Sequence, residues 1–334
     1  NITEGSGGEP VLTQEQYKNK EKTFRQEEKL GIGAFWKRFT HRKTKGEVSF
    51  DIINIIVVTL LCALMIYPFL YMVSVSLSDY DLVSDVRLLP KGFTTLAYQY
   101  IFRLKNVQSG YLNSLLYTTT GVAVSMLLTI LCAYPLSKKW LPGKKFFNIF
   151  ILITMYFGGG LIPSYLLVSG LGMRNTIWAI IIPGALSSYN MIVMRTYFQD
   201  SIPAEVEESC QIDGANQYQT LMHIYLPLAK PILATITLFY LVVMWNSWFS
   251  ASIYLDSSDM YPIQLVLRNA MSTSGSAFLG NSSAALGQLG VNQQVNYLSL
   301  NYALTIAVVL PVLVIYPFCQ KYFVKGVMVG AVKG

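Results

Sequence analysis

Six long runs without a single Asp, Glu, Lys or Arg divide the chain, at 52–78, 106–137, 146–173, 175–194, 231–255 and 269–320. A helix that crosses a bilayer needs about 20 mostly apolar residues, and each run can hold one. The pattern predicts spans over 52–74, 113–136, 147–169, 177–197, 231–251 and 302–320. A soluble bundle of six buried helices would leave too few polar faces to meet water. The expected fold is therefore all-α, a polytopic membrane protein with six transmembrane helices.

Charge sets the orientation, because basic residues concentrate in cytoplasmic flanks. With the N-terminus inside, segments 1–51, 137–146, 195–230 and 321–334 carry 19 Lys and Arg. The outer segments carry six: Arg87, Lys91, Arg103, Lys105, Arg174 and Arg268. Without the distant residues 1–30 the balance is still 14 to six, so both termini are expected to be cytoplasmic. Composition supports the class, since 13% of the 334 residues are charged where a soluble domain has about 25%. A net charge of +7 could point to nucleic acid, but these cations track the inner face, where anionic membrane lipid attracts them. No nucleic-acid partner is expected. Cys62, Cys132, Cys210 and Cys319 form no CxxC pair, so a metal site and a disulfide framework both read poorly.

Residues 1–50 are polar and read as a cytoplasmic segment, with 51–334 as the transmembrane domain. The first apolar run, from Ile52, is too long and too late for a signal peptide and is expected to stay as an anchor. Between the fifth and sixth spans, an outer loop at 252–301 holds a Gly/Ser/Asn-rich run from Ser272 to Gly290. Such composition suits an exposed, adaptable loop or a plain connector.

The inner segment 199–230 is the most informative. Asp200 or Ser201 can cap a helix with Pro203 in its first turn. Glu205, Glu207 and Glu208 lie early in that helix, where its dipole favours anions. Ile202, Val206 and Cys210 recur at i, i+4 and i+8 as an apolar stripe. Asp213-Gly214 is a breaker pair, since Gly enters left-handed geometry without steric cost. A second helix follows, with Tyr218, Leu221, Met222 and Tyr225 on one face, and Leu226-Pro227 ends it. This helix, turn and helix suits docking into a partner's groove, or an amphipathic connector lying on the membrane.

Glu208-Ser209-Cys210, Asp213-Gly214-Ala215, Ile224, Leu226-Pro227-Leu228 and Pro231 resemble the EAA loop of permease subunits of binding-protein-dependent ABC importers. Ser209 and Cys210 stand where that loop has two alanines, and both are small. The resemblance covers the chain from about residue 52. The ending from Phe323 to Gly334 is similar to that of the maltose-type second permease subunit, in its oligosaccharide and polysaccharide branch. The resemblance implies a type I ABC importer permease fold in a bacterial cytoplasmic membrane. It implies that Glu205, Glu208, Ser209, Cys210, Asp213, Gly214, Ala215, Leu226 and Pro227 couple to an ATPase. The implied partners are a homologous second permease subunit, two ATPase subunits that bind ATP and Mg, an extracytoplasmic solute-binding protein and a carbohydrate substrate. The same likeness puts Ser274, Gly275, Ser276 and Gly280 of the outer loop against the binding protein.

Other classes fit less well. A secondary transporter usually keeps an ionisable residue within the bilayer, and these spans have none near their centres. A simple channel would not need the 199–230 segment. An intramembrane enzyme would need a nucleophile, an acid pair or a metal cluster, and the two histidines, His41 and His223, have no neighbours at metal-ligand spacing. No GxxxxGK[ST] phosphate loop occurs, so no cofactor is expected in this chain and ATP must bind elsewhere. Sugar recognition favours aromatic faces with amide and hydroxyl partners. Tyr189 and Asn190 in the fourth span, and Tyr240, Trp245, Asn246 and Trp248 in the fifth, offer these, although Trp and Tyr near span ends also form interfacial belts.

Overall fold

The computed structural model describes residues 45–79, 88–202, 204–272 and 297–331. Helices and turns account for them, and no strand occurs among the described residues. The chain divides into two units, Asn1–Phe69 and Leu70–Gly334. The described part of the first is the apolar beginning of helix α1, Lys45–Ser76, whose last turns belong to the second.

Among the described residues three helices are long and apolar enough to cross a bilayer singly: α1, α3 (Lys105–Ser137), and α13 (Tyr297–Ala331) over Leu298–Pro317. At 1.5 Å per residue, a helix of 33 residues runs about 50 Å, well over the thickness of a hydrocarbon core. A short α2, Leu96–Arg103, precedes α3.

The other three predicted spans are interrupted, each for a local reason. The third is a bent pair, α4 (Lys144–Tyr156) and α5 (Leu161–Gly170), turned by 111°. The turn falls at Gly158-Gly159-Gly160, where Gly160 has φ 86°, a left-handed conformation that costs a Cβ-bearing residue. A Cβ at Gly158 would meet nothing within 4 Å, so this glycine run serves the bend and not close packing.

The fourth span was expected as one helix over 177–197 and is not continuous. It comprises α6 (Trp178–Ile181), a 3₁₀ turn at Ile182–Gly184 and α7 (Ser188–Ser201). Pro183 has no N–H to extend α6, and Ser187 restarts the chain as a cap by accepting from the Asn190 N–H at 3.4 Å. Helix α7 then runs on through Asp200 and Ser201. Those two residues, expected to cap the next helix, are its last turn, and Ile202 is the extended break. Helix α8, Ala204–Ile212, is followed by α9, Gln217–Leu228, and α10, Lys230–Trp245. The fifth span breaks at Asn246-Ser247 before α11, Trp248–Tyr254, and α12 is Ile263–Ser272.

Helix α3 is the spine, packed against by α7, α10 and α12. Its buried stripe reads Gly110, Ser114, Thr118, Gly121, Ser125, Thr129 and Ala133, one small residue every third or fourth position. Small side chains let neighbouring backbones approach closely where lipid provides no hydrophobic drive. A Cβ at Gly110 would sit 3.2 Å from the Ile263 Cα, and one at Gly121 2.7 Å from the Met244 Sδ. Hydroxyls close the seam. Thr129 shares a 2.7 Å hydrogen bond with the Tyr240 hydroxyl, and Ser114 Oγ accepts from the Ile263 N–H at 2.8 Å. Near the start of α3, the Tyr117 hydroxyl donates to the Met260 carbonyl at 2.7 Å. Helix α13 seats Ala303, Leu304, Ala307 and Val308 against Trp245 and Ile263. The end of α1 joins it where Ser299 Oγ donates to the Val75 carbonyl at 3.3 Å.

The seam predicts its own failure. Gly121→Val overpacks the α3–α10 contact and should cost about 1–3 kcal/mol, read as a lower thermal midpoint of the detergent-solubilised protein. Adding Met244→Ala makes room and should recover part of that loss; no recovery would place the damage elsewhere.

Candidate functional site

The segment 199–230 folds as two short helices around a tight turn. Helix α8 ends at Ile212, and Gly214 takes φ 76°. The Asp213 N–H then donates to the Ser209 carbonyl at 3.0 Å and the Ala215 N–H to the Cys210 carbonyl at 2.9 Å. These bonds satisfy carbonyls that a helix end leaves open. No atom lies within 4 Å of a Cβ at Gly214, so the residue is needed for its backbone angle and not for space. Asn216 opens α9 with a reciprocal cap: Asn216 Oδ1 accepts from the Gln219 N–H, and Gln219 Oε1 from the Asn216 N–H, both at 2.9 Å. Within α9, Leu221–Tyr225 is a π-turn. It lies just before Pro227, which cannot donate in the helical ladder.

One face of this hairpin is locked to the end of α3. Lys138, the residue after α3, has a side chain only 1% exposed, and its Nζ lies 2.9 Å from the Glu207 Oε1 of α8. The ammonium sits over the Tyr225 ring at 3.9 Å and the Tyr134 ring at 4.3 Å. The Tyr225 hydroxyl donates to Glu207 Oε2 at 3.0 Å, and the Tyr134 hydroxyl to Gln217 Oε1 at 2.8 Å. Rings pack behind this pair, Tyr134 and Phe198 each standing edge-on to Tyr225 at 5.0 and 5.5 Å. Burial pulls the Lys138 ammonium below its ordinary value, while the hydrogen bond and charge of Glu207 hold it up. A buried cation requires such a partner, and here the aromatic faces add to the carboxylate. Carbonyls at the α3 end are engaged as well: Gln199 Nε2 donates to Ser137 O, the last of α3, at 3.1 Å, and Lys144 Nζ to Lys138 O just beyond it at 2.9 Å.

The opposite face is open among the described residues. Glu205, Glu208, Ser209, Asp213, Gly214 and Pro227 are exposed. Ile212 is 86% and Tyr218 67% exposed. The structure thus splits the predicted coupling residues. Glu205, Glu208, Ser209, Asp213, Gly214 and Pro227 face outward; Cys210, Ala215 and Leu226 are half-buried, with Leu226 packed beside Tyr225. Sequence reasoning singled out Glu205 and Glu208 but gave Glu207 no role apart from them. No local signal separates Glu207 from the acids beside it.

The residues expected to line a substrate path also divide. Tyr240 and Trp245 are buried, with the Tyr240 hydroxyl held by Thr129 and by the Ser187 N–H at 3.1 Å, and Trp245 Nε1 donating to Val308 O at 3.2 Å. Asn190 is buried too. Tyr189 is 54% exposed. Asn246 is exposed at the break between α10 and α11. Its amide donates to Val242 O at 2.8 Å and its Oδ1 accepts from Gln264 Nε2 at 3.2 Å. Half-buried Trp248 lies under the Arg268 guanidinium, 3.9 Å from its ring centre. Ser274, Gly275, Ser276 and Gly280 lie outside the described residues.

The Lys138 joint makes a quantitative prediction. Glu207→Leu or Lys138→Met alone leaves a buried charge unpaired and should destabilise the protein by on the order of 3 kcal/mol. The double variant should cost less than the sum of the two, measured by thermal unfolding of the purified protein. Strictly additive losses would show that the pair does not couple.

Comparison with known proteins gives three findings. The family described as "Binding-protein-dependent transport system inner membrane component" matches residues 32–329. Among curated proteins, the chain is 36% identical over 297 residues to Protein LplC of Bacillus subtilis, covering 88% of this chain and 98% of that one. It is 38% identical over 277 residues to the polygalacturonan/rhamnogalacturonan transport system permease protein YtcP of the same organism, covering 82% and 94%. Among solved structures, a chain of a bacterial ABC transporter involved in the import of the acidic polysaccharide alginate superposes with a TM-score of 0.79 at 32% identity, covering 85% of this chain and 100% of that one. A chain from a bacterial alginate ABC transporter in complex with alginate pentasaccharide-bound periplasmic protein shares the fold at 15% identity, with a TM-score of 0.50.

Proposed function

The chain belongs to the family of binding-protein-dependent transport system inner membrane components, and on that premise we propose that it forms half of the substrate path of an ATP-driven importer of an oligo- or polysaccharide. The observation that carries this reading is the two-faced hairpin at 199–230. Its inner face is fastened to α3 through Lys138 and Glu207, and its outer face presents Glu205, Glu208, Ile212 and Tyr218 exposed.

Exposed carboxylates beside an exposed Ile and Tyr suit the groove of a partner subunit, with the apolar side chains as anchors and the charges fixing register. In this reading the partner is one of two ATPase subunits, which bind ATP and Mg. A homologous second permease subunit completes the path, and an extracytoplasmic solute-binding protein delivers the sugar to the outer loop at 252–301. In this reading the chain has six spans with both ends cytoplasmic, sits in the bacterial cytoplasmic membrane and carries the hairpin on the ATPase side. ATP-driven closure of the ATPase pair moves the hairpin as a rigid body, and the joint at Lys138 passes that motion to α3 and the helices packed on it. The path then alternates between inward and outward access. The chemistry of ATP lies wholly in the partners. Exposed Tyr189 and Asn246 and half-buried Trp248 are the candidates for sugar contact. The sugar assignment draws on YtcP, whose name gives it polygalacturonan and rhamnogalacturonan.

The test uses the reconstituted complete transporter. Gly214→Val forces a β-branched residue into a left-handed turn, and Glu208→Lys reverses a charge on the outer face. Both should lower uptake and substrate-stimulated ATP hydrolysis about tenfold or more, as expected for the loss of a central contact, while the chain still inserts. Wild-type rates in both variants would remove the coupling role from this segment.

A further inference from the structure

We propose that Arg268, seated over the Trp248 ring, reads a carboxylate of the transported saccharide, so that the substrate is acidic; this rests on the carbohydrate reading above. Gln264 and Arg268 are one helical turn apart on α12 and therefore share a face. Across from them lies the break between α10 and α11. There Asn246 meets Gln264 at 3.2 Å and Trp248 meets Arg268 at 3.9 Å. The two contacts form neighbouring rungs of one ledge, with two amides on one and a cation on an aromatic face on the other. Asn246 and Arg268 are exposed, and Gln264 and Trp248 are half-buried.

Among the described residues Arg268 has no carboxylate partner: of the two acids of the preceding loop, Asp256 is held by Arg174 at 2.7 Å and Asp259 forms no ion pair with Arg268. After Asp259 the outer loop contains no Asp or Glu. The guanidinium is held in place by stacking, which is weakly hydrated and leaves its N–H fork free for a bidentate anion. The Trp face and the two amides beside it are the groups that a sugar ring and its hydroxyls require. The break at Asn246-Ser247 falls within the predicted fifth span, and irregular backbone within a bilayer is accepted only where it lines a polar cavity or packs in protein. A uronate-type residue satisfies both rungs together, its carboxylate on Arg268 and its hydroxyls on Asn246 and Gln264. A neutral sugar leaves the cation unanswered.

The complete transporter with its binding protein, in liposomes, is offered an oligogalacturonate and the same oligomer after reduction of its carboxylates to alcohols. Wild type should take up the acidic oligomer in preference to the reduced one. Arg268→Ala should lose about tenfold or more of acidic uptake, the scale of a charge-assisted contact, and Arg268→Lys should retain part of it. Trp248→Ala should act in the same direction by freeing the guanidinium. Assembly of each variant is read by co-purification of the partner subunits, and Arg268→Lys covers the case in which Arg268→Ala does not assemble. Equal uptake by wild type and both Arg268 variants, or preference for the reduced oligomer, would overturn the acidic assignment and leave the carbohydrate reading standing. A loss in Arg268→Ala that follows the anionic lipid content of the vesicles, whichever oligomer is offered, would make the ligand a lipid headgroup. Failure of wild type to move either oligomer, while it moves a solute of another class, would end the carbohydrate reading and this proposal together.

Discussion

Three helices can approach α3 at once because the side chains along its inner stripe are small. From Gly110 to Ala133 that stripe brings α12, α10 and α7 onto one spine. Water-driven burial cannot sort helices within a lipid phase, so close packing and hydroxyl bonds must do it. The Ser114 and Thr129 contacts belong to this seam. So do Tyr240 and Trp245, whose polar groups are used in holding helices together. Two aromatic residues that suited a sugar on paper are structural for that reason.

The same helix ends in the buried joint of Lys138 with Glu207, Tyr134 and Tyr225. A buried ion pair is not in itself a large source of stability, because desolvation offsets much of the attraction. It is directional, however, and it fixes which way the 199–230 hairpin turns. With Glu207 committed inward, Glu205 and Glu208 on the same helix face outward. The exposed acidic and apolar surface thus follows from one inward salt bridge, and the hairpin becomes an extension of the spine instead of a free loop.

Much of the architecture could be read from the chain itself. Charge-free runs marked the apolar segments; the last residue of α3 and the first of α10 fell within one position of those expected, while α3 begins eight residues earlier and α10 stops six residues sooner. The left-handed turn at Gly214 followed from the Asp213-Gly214 pair. The interruptions were harder to see. Pro183 with Gly184, and Asn246 with Ser247, sit inside runs whose mean character is apolar, so a window that averages over about 20 residues passes across them. Glu207 was hidden for a different reason. Its partner Lys138 is 69 positions away by number, and nothing local distinguishes it from the two acids beside it. The stripe on α3 was present as spacing, but small residues carry little hydropathy signal. The Arg268–Trp248 stack joins two segments whose register only the fold supplies.

The central claim is that the hairpin and α3 move as one body. In a background without the native cysteines, Cys at 138 and 207 can be joined by a short reducible cross-linker within the reconstituted transporter. Substitution alone will weaken the joint, so the comparison is between linked and reduced forms of the same protein. The account predicts that linking restores ATP-driven uptake above the reduced level, since it replaces a fixed contact. Uptake that stops on linking and returns on reduction would show that the joint must open during the cycle, and would contradict the account.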